Sequence, residues 1–339
     1  MDRRNFNKTL LGSSFYIMSP KSVSGQKNNY LSAGDRVGMI CPAGIISQDR
    51  LDKSLNNIKA LGLEPVLGKH ILETSGYLAG SDANRLDDLH GMFEDKSIKA
   101  IWCIRGGYGC TRLLPYLNYD VISNNRKLLL GYSDVTALHH ALYTKLGMHS
   151  LHSPVGASDM TDFTLNHLKP VLFGKPGDRV DVGISTENDD LFTAGGKSTF
   201  ERYTIREGAC EGILWGGNLS LLAALAGTEF TRIKKDFILY VEDIEEAPYR
   251  IDRMLTQLFQ WIPQAKLKGV ICGVFEGCER KEESNSFTLK EVILDRVARL
   301  QVPAVYGFPF GHISNQCTIP IGAKAGFDTR DFKLKITLP

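Results

Sequence analysis

The order of apolar runs and helical stretches after Asp35 constrains the fold more than any other feature of the sequence. Short runs of β-forming residues cover 36–41, 65–67, 98–104 and 128–130, and helical spacing covers 48–61, 82–93 and 134–146. Strands that alternate with helices of this length are typical of βαβ units and a parallel sheet. We therefore predict an α/β domain whose ligands bind beyond the carboxyl ends of its strands.

A second structural unit follows a stretch of weaker periodicity. Between Gly156 and Gly208 the periodicity fades, which predicts a linker over 157–207. Beyond it we expect strands at 211–215, 237–241 and 269–275, helices at 218–225, 249–261 and 287–300, and strands near 305, 319 and 332–336. The sequence therefore predicts a first domain over 30–156 and a second, α+β domain over 208–339.

The composition excludes several classes of protein. The chain has 339 residues, of which 43% are hydrophobic and 23% charged, so it is globular rather than disordered or collagenous. Its 40 Lys+Arg residues nearly balance 38 Asp+Glu residues, and no basic block follows residue 30, so no nucleic-acid partner is indicated. No run of about 18 apolar residues predicts a membrane span. The seven cysteines lack paired C-x-x-C spacing, which favours reduced structural thiols over a zinc site.

The first 26 residues are typical of a targeting segment. Adjacent Arg3 and Arg4, with Phe6 and Lys8, precede a modest apolar stretch over 9–18, as in a twin-arginine export signal. Asn7 stands where leucine is usual, so a disordered basic tail on a cytoplasmic protein is the alternative. We expect residues 1–26 to direct export to the periplasm and to take no part in the fold.

Replacing both Arg3 and Arg4 by Lys tests this expectation. Because a twin-arginine signal requires the arginine pair, the variant is expected to stay in the cytoplasm while the unchanged protein is exported. Cell fractionation followed by immunoblotting measures the distribution, and an equal distribution of the two proteins would contradict the export hypothesis.

Two motifs lie at the ends of predicted strands in the first domain. In Gly131-Tyr132-Ser133-Asp134, a serine at a strand-to-helix junction presents its Oγ above the sheet, and the N–H of the next residue is free to stabilise an oxyanion. An ordinary helix N-cap fits Ser133 equally well at this point. In 105–109, Arg-Gly-Gly-Tyr-Gly, the glycines allow a ligand to approach the backbone closely, although no Walker or G-x-G-x-x-G pattern is present.

The second domain carries two further candidates. Glu242 closes a buried strand, where a carboxylate can orient a histidine, whereas the neighbouring Asp243, Glu245 and Glu246 fit either a solvated loop or a cation site. His312, between glycine and isoleucine after an aromatic run, fits a general base. A competing histidine cluster has no zinc-motif spacing; it comprises His139, His140, His149 and His152.

Together these blocks resemble the LD-carboxypeptidase family of serine peptidases, which includes muramoyltetrapeptide carboxypeptidases and microcin C self-immunity peptidases. The resemblance extends from about Gly34 to Ile336 and depends on the order of the blocks along the chain. The blocks are Gly34-Asp35-Arg36-Val37 with Pro42-Ala43, Arg105-Gly106-Gly107-Tyr108-Gly109 with Arg112-Leu113-Leu114-Pro115, Gly131-Tyr132-Ser133-Asp134-Val135-Thr136-Ala137-Leu138-His139, Gly216-Gly217-Asn218-Leu219-Ser220, Val241-Glu242-Asp243, and Gly311-His312 with Pro320-Ile321-Gly322.

The resemblance implies a Ser133–His312–Glu242 triad, with oxyanion donors at the backbone N–H groups of Gly107 and Asp134. It implies an N-terminal Rossmann-like domain carrying the serine, a smaller β-rich C-terminal domain carrying the other two residues, and a site between them. It also implies a homodimer, no metal or organic cofactor, and peptidoglycan tetrapeptides cleaved between an L-centre and terminal D-Ala. Arg105 is our candidate for binding the substrate carboxylate.

Two other functions stay open on the sequence alone. The same triad could hydrolyse a peptidyl-adenylate amide, in which case an aromatic side chain such as Trp215 would stack on the nucleobase. Alternatively, the chain could bind wall peptides without catalysis, which would require the three triad residues to lie apart.

Overall fold

A computed structural model describes residues 30–194, 198–281 and 285–339. The expected export segment, 1–26, lies outside the described residues. Within the described ranges, no helix has both the length and the apolar character that a membrane crossing requires.

The strands occur at the apolar runs of the sequence and form two sheets. In chain order they are β1 (Arg36–Ile40), β2 (Glu64–Leu67), β3 (Ile98–Cys103), β4 (Leu128–Gly131), β5 (Leu151–His152), β6 (Arg179–Val182), β7 (Tyr203–Arg206), β8 (Ala209–Asn218), β9 (Phe237–Glu242), β10 (Leu267–Cys272), β11 (Ala304–Tyr306), β12 (Ile319–Pro320), β13 (Lys324–Asp328) and β14 (Lys333–Thr337). The first sheet has the order β12-β5-β4-β3-β1-β2, and the second has the order β6-β14-β13-β8-β9-β10-β11-β7.

Both sheets have a parallel centre. In the first sheet β2, β1, β3, β4 and β5 run parallel, and in the second sheet β8, β9, β10 and β11 do so. Antiparallel strands complete the edges: β12 in the first sheet, and β7 and the β13-β14-β6 group in the second. The α/β class with two domains is therefore confirmed, and the carboxyl ends of several parallel strands are available for a site.

Helices connect the parallel strands. They are α1 (Gln48–Ala60), α2 (Asp82–Glu94), α3 (Cys110–Leu113), α4 (Tyr119–Asn124), α5 (Thr136–Leu146), α6 (Asp162–Leu172), α7 (Thr186–Thr193), α8 (Leu219–Leu225), α9 (Pro248–Trp261) and α10 (Leu289–Ala298). Hydroxyl side chains cap several of them, because each satisfies a first-turn N–H: Ser47 caps α1, Ser81 caps α2, and Thr288 forms a capping box with Glu291 on α10.

The expectation of a linker over 157–207 is wrong for most of that stretch. It contains α6, β6, α7 and β7, and the two strands form opposite edges of the second sheet. Both strands are four residues long and alternate between more and less exposed positions. Short half-exposed edge strands carry little of the continuous apolar signal of a central parallel strand, so the sequence alone predicts no strand at either place.

The two domains share a strand and an apolar core. β12 lies in the C-terminal part of the chain, yet it pairs antiparallel with β5 and completes the edge of the first sheet. Behind it, one buried cluster combines Tyr240 of β9 with Phe308, Phe310 and Ile319. All seven cysteines are free thiols, and six of them are buried. Apolar burial, rather than a crosslink, therefore holds the domains together.

Candidate active site

Ser133 follows β4 on a strained turn. It is one of four non-glycine residues with positive φ in the described ranges, with φ of 63°. Such strain persists only where the surrounding structure enforces it, and it presents the seryl Oγ above the end of the strand. α5 begins only at Thr136, and its N-cap is Val135 with no side-chain cap. The N-cap interpretation of Ser133 is therefore wrong.

Glu242 is the last residue of β9 and has no exposed surface. The rest of the strand is apolar and buried between β8 and β10, so the carboxylate is held on a rigid support. Burial acts to raise its pKa, but the charge of His312 and the hydrogen bond with it hold the pKa of Glu242 below the ordinary value.

His312 joins Glu242 to Ser133. It lies on the loop after β11, where its Nδ1 donates to Glu242 Oε2 at 2.7 Å and its Nε2 is 3.0 Å from Ser133 Oγ. The Tyr132 ring packs against the imidazole with centroids 4.8 Å apart. Burial lowers the pKa of His312, but the charge of Glu242 and its hydrogen bond outweigh burial and raise the pKa above 6.5. We call this arrangement the Ser133–His312–Glu242 array.

The acidic residues after Glu242 do not act as one group. The Asp243 carboxylate is buried and accepts hydrogen bonds from Asn218 and from Ser220. Glu246 forms an ion pair with Arg250. Glu245 is exposed and contributes to the raised pKa of His312. These separate roles argue against a cation site in this loop.

The glycine loop after β3 passes directly against Ser133. A Cβ on Gly106 would lie 2.8 Å from Ser133 Cβ and 3.3 Å from the backbone nitrogen of Asp134. Gly107 follows with φ of 119°, a conformation that favours glycine. The Asp134 N–H lies in the first helical turn, where no intrahelical acceptor exists. The glycine loop and the Asp134 N–H thus lie beside the seryl side chain, and Asp134 Oδ2 accepts a hydrogen bond from the Cys110 N–H at 2.7 Å.

Arg105 lines an open cavity of about 500 Å³ next to this loop. Its guanidinium donates to Ile45 O and forms no ion pair among the described residues. Partial burial and the charge of Arg50 hold the pKa of Arg105 below its usual range, although it remains a cation. Tyr77 and Tyr108 form the outer wall, with ring centroids 5.7 Å apart. The cavity offers one unpaired positive charge and an aromatic wall to a ligand.

Three of the four competing histidines serve the fold. His139 Nε2 donates to Gly131 O at 2.9 Å, His140 Nε2 donates to Gly216 O at 2.8 Å, and His149 Nδ1 donates to Ile321 O at 2.8 Å. Across the described part of the chain, the one group with metal-ligand geometry is instead His70, Asp87 and Asp88, whose histidine is already paired with Glu73 and Asp87. The histidine cluster therefore gives no support to metal catalysis.

Trp215 is unsuited to binding a nucleobase. Its side chain has no exposed surface and packs against His140, Phe237 and Trp261. No local pattern in the sequence indicates this burial. Conversely, the sequence patterns assign no role to Tyr132 or to the supporting contact of His139, whereas the glycines of 105–109 indicate a close approach of the backbone.

Comparisons with known proteins place the chain in a family. Residues 37–153 match the model of the LD-carboxypeptidase N-terminal domain, Peptidase S66, and residues 211–327 match that of the C-terminal domain. The chain belongs to the LD-carboxypeptidase family. It is therefore a member of a family of peptidases.

Named relatives cover nearly the whole chain. It is 35% identical to a probable murein peptide carboxypeptidase of Bacillus subtilis (90% of this chain, 92% of the relative) and 33% identical to the murein tetrapeptide carboxypeptidase of Pseudomonas aeruginosa (86% and 92%). Among solved structures, an MccF-like protein from Bacillus anthracis superimposes with a TM-score of 0.80 at 27% identity, over 92% of this chain and 99% of that one.

The electrostatics of the array predict the titration of His312. Because Glu242 raises its pKa, NMR titration is expected to place the pKa of His312 above 6.5, and Glu242→Gln is expected to bring it to 6.5 or below, since burial then dominates. The matched substitution Glu245→Gln is expected to lower it less.

The raised pKa of His312 also determines how the stability of the fold depends on pH. A pKa that is higher in the folded than in the unfolded state stabilises the fold fully below the unfolded pKa, and this contribution disappears as the pH rises through the folded pKa. Glu242→Gln should remove that dependence. A pKa of His312 that is unaltered in Glu242→Gln would show that the pair does not interact.

Proposed function

We propose that this protein is a serine carboxypeptidase of peptidoglycan tetrapeptides. It hydrolyses the amide bond between an L-centre, either Lys or that of meso-diaminopimelate, and the terminal D-Ala. The observation that carries the proposal is the pair of contacts from His312, 3.0 Å to Ser133 Oγ and 2.7 Å to Glu242 Oε2. The names of the Bacillus and Pseudomonas relatives support the substrate class.

Each residue of the array has one role in this reaction. Neutral His312 accepts the Ser133 proton at Nε2 as Oγ attacks the scissile carbonyl, and Glu242 stabilises the resulting imidazolium. The imidazolium then gives its proton to the departing nitrogen of D-Ala, which leaves an acyl-enzyme. Water, deprotonated by His312, releases the peptide and restores Ser133.

The oxyanion and the terminal carboxylate have separate binding groups. The backbone N–H groups of Gly107 and Asp134 stabilise the oxyanion, because the glycine loop lies against Ser133. Arg105 binds the carboxylate of the terminal D-Ala in the adjoining cavity, where its guanidinium has no acidic partner among described side chains. If residues 1–26 direct export, the substrate is wall peptide in the periplasm.

Hydrolysis of a peptidyl-adenylate amide is the second candidate. The similarity to the MccF-like protein supports it. The stacking residue expected for it, Trp215, is buried, whereas the Tyr77–Tyr108 pair is exposed beside the cavity. Parallel assays with a murein tetrapeptide and a peptidyl-sulfamoyl-adenosine decide between the two substrates.

Ser133→Ala tests the nucleophile. Because the substitution removes the atom that becomes acylated, kcat on a murein tetrapeptide is expected to fall by about 10⁴-fold or more, and Ser133→Ala with His312→Ala is expected to be scarcely worse. Mass spectrometry of the released peptide measures turnover.

Ser47→Ala is the matched control, since Ser47 is a true N-cap. It should cost about 1 kcal/mol of unfolding free energy and leave kcat unchanged. A folded Ser133→Ala protein that keeps more than about a tenth of the normal kcat would contradict the assignment of Ser133 as the nucleophile. Such a loss raises the activation free energy by less than about 1.4 kcal/mol.

Arg105→Gln tests the carboxylate site. The variant is expected to raise KM for the tetrapeptide by about 10-fold or more, because it removes a charge-assisted hydrogen bond, and to leave KM for the C-terminally amidated peptide unchanged. Arg50→Gln, which removes a nearby exposed guanidinium, is the control. An equal increase in KM for the tetrapeptide and for its amidated form would refute the role of Arg105.

A further inference from the structure

His152 is a buried titratable group that the proposed reaction does not use. It ends β5, has no exposed surface, and neither of its ring nitrogens has a hydrogen-bond partner among the described residues. The other buried histidines of this region, His139 and His140, each bond to a backbone carbonyl. A buried polar group without a partner is costly, so its retention calls for a physical reason.

Two further buried atoms near His152 have no partner. The hydroxyl of Tyr240 and the Oε1 atom of Glu242 form no hydrogen bond to the described chain. Tyr240 and Glu242 are two residues apart on β9 and so face the same side of the sheet. The ring of His152 meets that of Tyr240 edge to face, with centroids 5.5 Å apart. The His152 ring therefore packs on the face of the second sheet from which Tyr240 and Glu242 project, and the charge of Glu242 acts on it.

The electrostatic coupling of these groups agrees with their placement. Burial lowers the pKa of His152 to about 4, against the opposing effect of the Glu242 charge, so its imidazole is neutral at neutral pH and carries one N–H donor. Asn218 also lowers the pKa of Glu242, but its amide donates to Asp243 Oδ1 at 3.1 Å. The titratable groups that face or interact with His152 are Tyr132, His139, His140, Tyr240, Glu242 and His312.

We propose that His152 is a positioning residue for Glu242. His312 bonds only to the Oε2 atom of this carboxylate. His152 and Tyr240 act on the other oxygen, Oε1, through a bridging water. A buried water typically bonds to about three otherwise unsatisfied polar groups, and here it would accept from His152 and Tyr240 and donate to Oε1. The carboxylate is thereby held in the orientation that places Oε2 on His312 Nδ1. The catalytic consequence rests on the proposed function; the hydrogen-bonding role does not.

The closing experiment compares His152→Phe with His140→Phe in the full chain. Both positions are fully buried histidines whose pKa is lowered to about 4, but His140 bonds to Gly216 O and packs on Trp215. In His152→Phe the Glu242 carboxylate is less well oriented, so the NMR pKa of His312 should fall toward 6.5 and the downfield resonance of its Nδ1–H should weaken. His140→Phe should leave both unchanged, whatever it does to the melting temperature.

Kinetics with a murein tetrapeptide give the second readout. For His152→Phe, kcat should fall by about 10- to 100-fold, as is usual when a partner that orients a functional side chain is removed, and KM should change little. The acid side of the kcat–pH profile should move to lower pH, because the pKa of His312 falls. His152→Gln, which keeps an N–H donor, should restore part of kcat. Tyr240→Phe preserves the ring and should shift the pKa of His312 in the same direction by less.

The outcomes separate the two proposals. An unchanged His312 pKa and resonance in both His152→Phe and Tyr240→Phe would overturn the positioning role, as would an equal shift in His140→Phe. If the unaltered protein hydrolyses none of the peptides, the proposed function fails, while the NMR comparison still decides the role of His152.

Discussion

The hydrogen bond between the buried carboxylate of Glu242 and His312 is the interaction on which the site depends. A carboxylate without solvent is costly unless a partner of opposite charge or a strong donor is fixed beside it. Both sides are fixed here: Glu242 by the centre of the second sheet, and the His312 loop by hydrogen bonds such as Val274 N–H to Phe310 O at 3.0 Å. The raised pKa of the histidine follows from this geometry.

Close contact between the two sheets brings the serine to this pair. Ser133 belongs to the first sheet, and its partners belong to the second, so the array exists only where the domains touch. Small residues allow that approach: a Cβ on Gly217 would lie 2.8 Å from the Thr136 side chain, whose hydroxyl accepts a hydrogen bond from the Asn218 N–H. The precision of the site therefore depends on packing at the domain interface as much as on the loops themselves.

The sequence predicted the central strands and their helices because buried parallel strands and amphipathic helices have strong, distinct periodicities. It failed for β6 and β7, since short edge strands are defined by the strand they pair with rather than by their own residues. The sequence predicts Ser133, Glu242 and His312 as candidate residues, and the structure brings them together. The orphaned nitrogens of His152 and the burial of Trp215 depend on tertiary packing, and no local pattern encodes either.

The pairing of β12 with β5 also has a consequence for how the molecule is made. The ribosome completes β5 at His152, but the strand that covers its open side ends at Pro320. A nascent chain that has emerged only as far as the second domain therefore has an unprotected sheet edge at the position of His152, and it lacks His312. The Ser133–His312–Glu242 array is therefore completed only late in synthesis, because His312 follows all the parallel strands of both sheets along the chain.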